Sequence, residues 1–138
     1  MYTETGVWQQ PTGTALFFDP HKSREWLLKD LKTKNCKPCE GGVCPLDESL
    51  AIRHLDQVPG WTLNGDKTAI SRKFKFKDFS ATILFINAMA FMSEQQGHHP
   101  DFSAGYNYCE ISYTTHAIGG LSENDFICAA KINDLLET

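Results

Sequence analysis

Hydrophobic and polar positions alternate with two different periods along this chain, and the switches between them outline its elements. Ile70, Arg72, Phe74 and Phe76 alternate with Ser71, Lys73, Lys75 and Lys77, the period of a strand with one largely apolar and one wet face. Trp61–Leu63 and Thr68–Phe76 therefore read as two strands around the turn Asn64-Gly-Asp-Lys67. Before them, Leu46, Leu50, Leu55 and Val58 suit a helix over about Asp47–Leu55, stopped ahead of Pro59-Gly60. After them, Asp78 serves as N-cap of a long helix through Phe79, Ile83, Ile86, Met89 and Ala90, with Gly97 as its C-terminal stop. This helix is apolar nearly all round, which points to burial against both a sheet and a neighbouring subunit. Phe102–Ala104 and Tyr106–Thr115 supply further extended sequence. Ser122-Glu-Asn-Asp125 then has the capping-box form that opens a last helix with the stripe Cys128, Ala129, Ile132, Leu135, Leu136.

The order helix, two strands, helix, two strands, helix predicts an α+β fold. It has two layers, a four-stranded antiparallel sheet packed against helices. Residues 1–35 read as an N-terminal extension, an irregular arm followed by a short helix capped by Ser23 and striped by Trp26, Leu27 and Leu31. Residues 36–138 form the main domain, with the turn-rich run Cys36-Lys-Pro-Cys39-Glu-Gly-Gly-Val-Cys44-Pro45 at the joint.

Composition narrows the partners. The 138 residues carry a formal net charge of −4, against a surface devoted to nucleic-acid backbone, and the local basic run Arg72–Lys77 falls mostly on the wet face of a strand. No apolar run approaches the ~20 residues that span a bilayer. The start, Met1-Tyr-Thr-Glu4, has no secretory pattern, and the five cysteines are not spread as a disulfide framework, so a cytoplasmic location is expected. Cys36, Cys39 and Cys44 have the spacing Cys-x2-Cys-x4-Cys, but a structural zinc site needs four ligands and no second pair follows. An ordinary reduced loop is the better reading, with His54 as the only fourth ligand on offer. Cys109 and Cys128 read as small core residues.

The candidate chemistry lies in His98, His99 and His116. The first two follow the long helix in Gly97-His-His-Pro100, and the third ends a strand at Thr115-His116. Histidine titrates near neutrality, so a cluster of three points to proton traffic or to metal. Adjacent histidines rarely ligate one ion, which favours acid–base chemistry with no metal and no cofactor. Glu94, four residues before His98, is placed to fix its tautomer. Asp125 is a second carboxylate, read as much as a helix-capping residue as a site residue. Trp61 fits a core aromatic as well as a pocket wall, and Pro100 holds His99 extended.

These residues carry a resemblance. Glu94-Gln-Gln-Gly-His98-His99-Pro100-Asp101, Tyr106-Asn107, Thr115-His116 and Gly120-Leu-Ser-Glu-Asn-Asp125 are similar to the signature of the pterin-4a-carbinolamine dehydratases. Gly60-Trp61 and Phe74-Lys-Phe-Lys-Asp78-Phe79 match the first hairpin and helix start of the same family. The likeness runs from about Cys36 or Leu46 to Leu136, and the arm before it has no counterpart in the shortest members. It implies a hydro-lyase that converts 4a-hydroxytetrahydropterin to quinonoid dihydropterin and water, recycling the cofactor of an aromatic amino acid hydroxylase. It also implies that His98, His99 and His116 are catalytic, with Glu94, Trp61, Pro100 and Asp125 supporting them or bordering the substrate. A homodimer or homotetramer with a pterin substrate is expected, with no membrane and no direct nucleic-acid partner. The alternative on the same fold is a non-enzymatic dimerisation, coactivator or assembly role.

Overall fold

The computed structural model describes residues 30–39 and 44–137; the arm and the Ser23-capped helix expected over most of residues 1–34 lie almost wholly outside it, and Leu31–Thr33 form a single 3-10 turn. Among the described residues the α-helices are α1 (Glu48–Leu55), α2 (Phe79–Gln96) and α3 (Glu123–Glu137). The strands are β1 (Thr62–Leu63), β2 (Ile70–Lys75), β3 (Asp101–Ala104) and β4 (Tyr108–Tyr113). All pairings are antiparallel in the order β1-β2-β4-β3, so the expected α+β fold and its element order are found.

Register explains the core. Ile70 pairs with Tyr113, Arg72 with Ile111 and Phe74 with Cys109, and of these six only Arg72 is not buried. Neighbours of opposite parity, Lys73, Lys75 and Glu110, face water, and Lys73 lies over the Tyr108 ring. Arg72 occupies a core-side position by reaching to the rim, where its guanidinium donates to Pro59 O (2.8 Å) and Asn133 Oδ1 (2.6 Å). Against this face pack Met89, Met92 and Phe85 of α2 and Phe126, Ile127, Cys128 and Ile132 of α3. Each fully buried Ile, such as Ile70, Ile111 or Ile132, stabilises the fold by about 1.5–3 kcal/mol.

The helix ends follow the expected capping. Asp47 accepts from the Leu50 N–H (2.9 Å) and Asp78 from the Ala81 N–H (2.9 Å). At the far end of α2, Gly97 takes the left-handed conformation (φ 61°), its N–H donating to Glu94 O while the His98 N–H donates to Ser93 O, each at 3.2 Å. This is the Schellman arrangement, which turns the chain sharply so that His98 leaves the helix toward α3.

Residues 30–39 are tied to the last helix. Leu31 is buried in the core, Lys32 pairs with Asp134 (3.1 Å), Lys34 pairs with Glu123, and the Lys131 ammonium donates to Lys32 O (2.8 Å). α2 is apolar on both sides as its sequence requires: Thr82, Phe85, Met89 and Met92 are buried, whereas Phe79, Leu84 and Phe91 are exposed.

Gly97→Ala should lower stability by about 1 kcal/mol, because a β-carbon is strained at this φ although nothing crowds it. Urea denaturation of the variant and the wild type measures the difference.

Candidate active site

Two chain reversals bring the three histidines to one place. Gly97 turns His98 and His99 off α2, and after β4 ends at Tyr113 the bridge between Thr115 and Gly120 closes a short loop holding His116. The strand does not run on to His116 as its sequence suggests; His116 instead opens a 3-10 turn, His116–Ile118, ended by Gly119 with φ 66°. His98, His99 and His116 all line one cleft of about 500 Å³, together with Cys36, Lys37 and Thr115.

Their environments differ sharply. The His98 side chain is only 12% exposed, and its Nε2 donates to Asp125 Oδ1 at 2.6 Å. Its ring stacks on Tyr113, with centroids 5.5 Å apart and planes 10° apart. His99 pairs with Glu94 (2.9 Å) and His116 lies 3.9 Å from Asp101, both pairs well exposed to solvent.

Asp125 is fully buried and is the anchor of the site. Besides His98, it receives on Oδ2 the Thr115 hydroxyl (2.8 Å) and the Ser122 backbone N–H (2.9 Å), while Ser122 Oγ lies 2.7 Å from Thr115 Oγ1. The Ser122 contact makes Asp125 the capping residue that its spacing predicts. The His98 contact makes it also the carboxylate that holds the buried ring. Glu94, expected to orient His98, instead holds His99: the Schellman turn swings His98 off the helical face that the i, i+4 spacing assumes.

Trp61 does not border this cleft. It is buried in the core, edge-on to Phe74 and tilted against Tyr113, and its indole N–H donates to Asn133 Oδ1 (2.9 Å). Pro100 follows His99 in the chain and is not among the residues that line the cleft. Tyr113, which stacks on His98, and the Cys36–Cys39 segment, which lines the cleft, are neighbours of the histidines that the sequence pattern did not single out, because each reaches them through long-range packing. Among the described residues, no three His, Cys, Asp or Glu side chains gather in a set that could hold a metal ion. The His54 ring packs tilted against Phe126, with centroids 5.2 Å apart.

For His98, burial disfavours the imidazolium, but the hydrogen bond and charge of Asp125, with a smaller contribution from Cys36, outweigh it and raise the pKa. A raised native pKa stabilises the fold fully below the ordinary histidine value of about 6.5, and that stabilisation is lost as pH rises through the native value.

Comparison with known proteins places this geometry. Residues 44–135 match the model of the pterin 4 alpha carbinolamine dehydratase family. A Nitrosospira multiformis protein provisionally named pterin-4-alpha-carbinolamine dehydratase is 52% identical over 110 residues, 80% of this chain and 96% of the relative. A transcriptional coactivator/pterin dehydratase from Brucella melitensis superposes with a TM-score of 0.64 at 35% identity, over 66% of this chain and 97% of that one. A pterin dehydratase-like protein identified as a RuBisCO assembly factor in the alpha-carboxysome superposes with a TM-score of 0.50 at 25% identity, over 57% of this chain and 92% of that one.

Asp125→Asn should drop the His98 pKa below 6.5, because burial then acts without the opposing charge, and should cost about 1–3 kcal/mol of stability at pH 6. Imidazole NMR titration reads the first effect and urea denaturation the second; an unmoved His98 titration is incompatible with the pair.

With the family model covering most of its length and the relative matched nearly end to end, the chain belongs to the pterin 4 alpha carbinolamine dehydratase family of hydro-lyases.

Proposed function

We propose that this chain dehydrates 4a-hydroxytetrahydropterin to quinonoid dihydropterin and water by histidine acid–base catalysis. The observation that carries the proposal is three histidines on one cleft, one of them held by a buried carboxylate. Elimination requires an acid to protonate the departing 4a-hydroxyl as the C4a–O bond breaks, and a base to take the N5 proton as the C4a=N5 bond forms. Imidazoles perform both steps near pH 7.

Three features of the geometry support a division of labour. His98 has Nε2 committed to Asp125, leaving Nδ1 for the substrate, and its raised pKa suits it to give the proton to the leaving hydroxyl. His116, exposed across the cleft, takes the complementary proton transfer. His99, turned toward Glu94, positions the pterin. Lys37 supplies a polar group at the same cleft for the pterin ring.

The product is a cofactor in need of reduction, which fits a recycling role beside an aromatic amino acid hydroxylase in the cytoplasm. Exposed Phe79, Leu84 and Phe91 on α2 support a homodimer or homotetramer. These exposed apolar side chains also favour a second reading, a binding role on this fold of the coactivator or assembly kind that two structural neighbours are named for.

The dehydration rate measured against the spontaneous one separates the readings. Wild type should accelerate it with no response to chelator, and His98→Ala with His116→Ala should lose about 10²–10⁴-fold of the enzymatic rate. Equal rates for wild type and double variant, both at the spontaneous level, would leave only the binding role.

A further inference from the structure

Cys36 and Cys128 lie 92 positions apart in the chain, yet their sulfurs are 3.6 Å apart, in van der Waals contact. The approach is held from both sides. The Cys36 N–H donates to Gln96 Oε1 at the end of α2 (2.9 Å). The next residue is clamped to α3 by two reciprocal hydrogen bonds, Lys37 N–H to Asn124 Oδ1 (3.0 Å) and Asn124 Nδ2 to Lys37 O (2.6 Å). A disulfide needs the sulfurs to close to about 2.05 Å, a contraction that side-chain torsions supply when the backbones are already adjacent.

Exposure distinguishes the two thiols. Cys36 is half-buried and lines the cleft, where a small solute reaches it; Cys128 is fully buried behind it, with its sulfur 4.0 Å from His98 O. We propose that Cys36 and Cys128 are a redox-active thiol pair, in which a hydroperoxide oxidises Cys36 and Cys128 resolves it into a reversible disulfide beside the histidine cleft.

The electrostatics agree with that order. The Cys128 S–H donated to the Cys36 sulfur lowers the Cys36 pKa, burial opposes this, and the charge of His98 adds to the lowering. The same hydrogen bond, together with burial, pushes the Cys128 thiol up. Thiolate character therefore concentrates on the accessible sulfur, where nucleophilic reactivity is needed.

The chemistry balances with the hydroperoxide as the two-electron oxidant. The Cys36 thiolate attacks the distal oxygen and the O–O bond breaks, giving sulfenic acid and hydroxide (or alkoxide), which takes up the proton that Cys36 released. The Cys128 sulfur then attacks the Cys36 sulfur, the S–O bond breaks, and the departing hydroxide leaves as water with the Cys128 proton. Overall two thiols are oxidised to a disulfide and the peroxide is reduced. Other partners are less well placed: Cys39 faces Ser122 Oγ (3.7 Å) and Asn124, Cys44 is exposed, and Cys109 is buried in β4 with its thiol pushed up by burial.

This pair does not depend on the dehydration reaction, so its test reads covalent structure and not turnover. The reduced full-length chain is treated with hydrogen peroxide, alkylated, and digested without reductant for mass spectrometry. The expected result is a Cys36–Cys128 cross-linked peptide about 2 Da lighter than the sum of its reduced parts, returned to free thiols by dithiothreitol. Cys128→Ser should instead accumulate a Cys36 sulfenic acid that dimedone traps. Peroxide treatment that leaves Cys128 as a free thiol, or that links Cys36 to Cys39 or Cys44, overturns the proposal, and the wild-type digest decides it even if the variant fails to fold.

Discussion

The site depends on one buried carboxylate. Asp125 has no exposure to water, and a charge in that position persists only when its oxygens are satisfied. Three donors satisfy it: the His98 ring, the Thr115 hydroxyl and the Ser122 N–H. These come from the turn after α2, the end of the β4 segment and the start of α3, so one side chain pins the junction of all three. The stability of that junction and the protonation of His98 are then the same quantity seen from two sides. Loosening any donor weakens the carboxylate's hold on the ring, whereas loss of the Nδ1 proton removes the ring's charge and leaves its Nε2–H bonded to Asp125.

The network continues outward by packing. His98 stacks on Tyr113, whose hydroxyl lies 3.1 Å from Ser93 Oγ on α2, and Tyr113 in turn packs against Trp61. Trp61 hydrogen-bonds Asn133, which also receives Arg72. Tyr113 alone thus separates Trp61 from the His98 ring, and Trp61 helps to fix Tyr113 in place.

What the chain's pattern revealed and what it did not follow from the range of the interactions involved. Asp47, Asp78 and Gly97 act through backbone groups within a few residues, and strand alternation in β2 acts through the pleat, so these were readable locally. The histidine cluster was readable as a pattern of residue types. The pairing of carboxylates with histidines was not, because Glu94 belongs to α2 whereas His98 lies beyond a left-handed residue that breaks the helical geometry. Asp125 is 27 positions from His98, and only the packing of α3 brings it there. The Cys36–Cys39 segment reads locally as a joint because its turn-forming residues say nothing of its docking on Asn124 and Gln96.

The three histidines are chemically unequal although their sequence treats them alike. His99 and His116 are held only by the exposed carboxylates Glu94 and Asp101, where solvent competes for each contact. A ring stacked on Tyr113 and bonded to Asp125 is oriented before substrate arrives, and its reorganisation is paid for in folding. One firmly held ring beside two exposed ones suits the elimination proposed above, with its defined donor and adaptable acceptor.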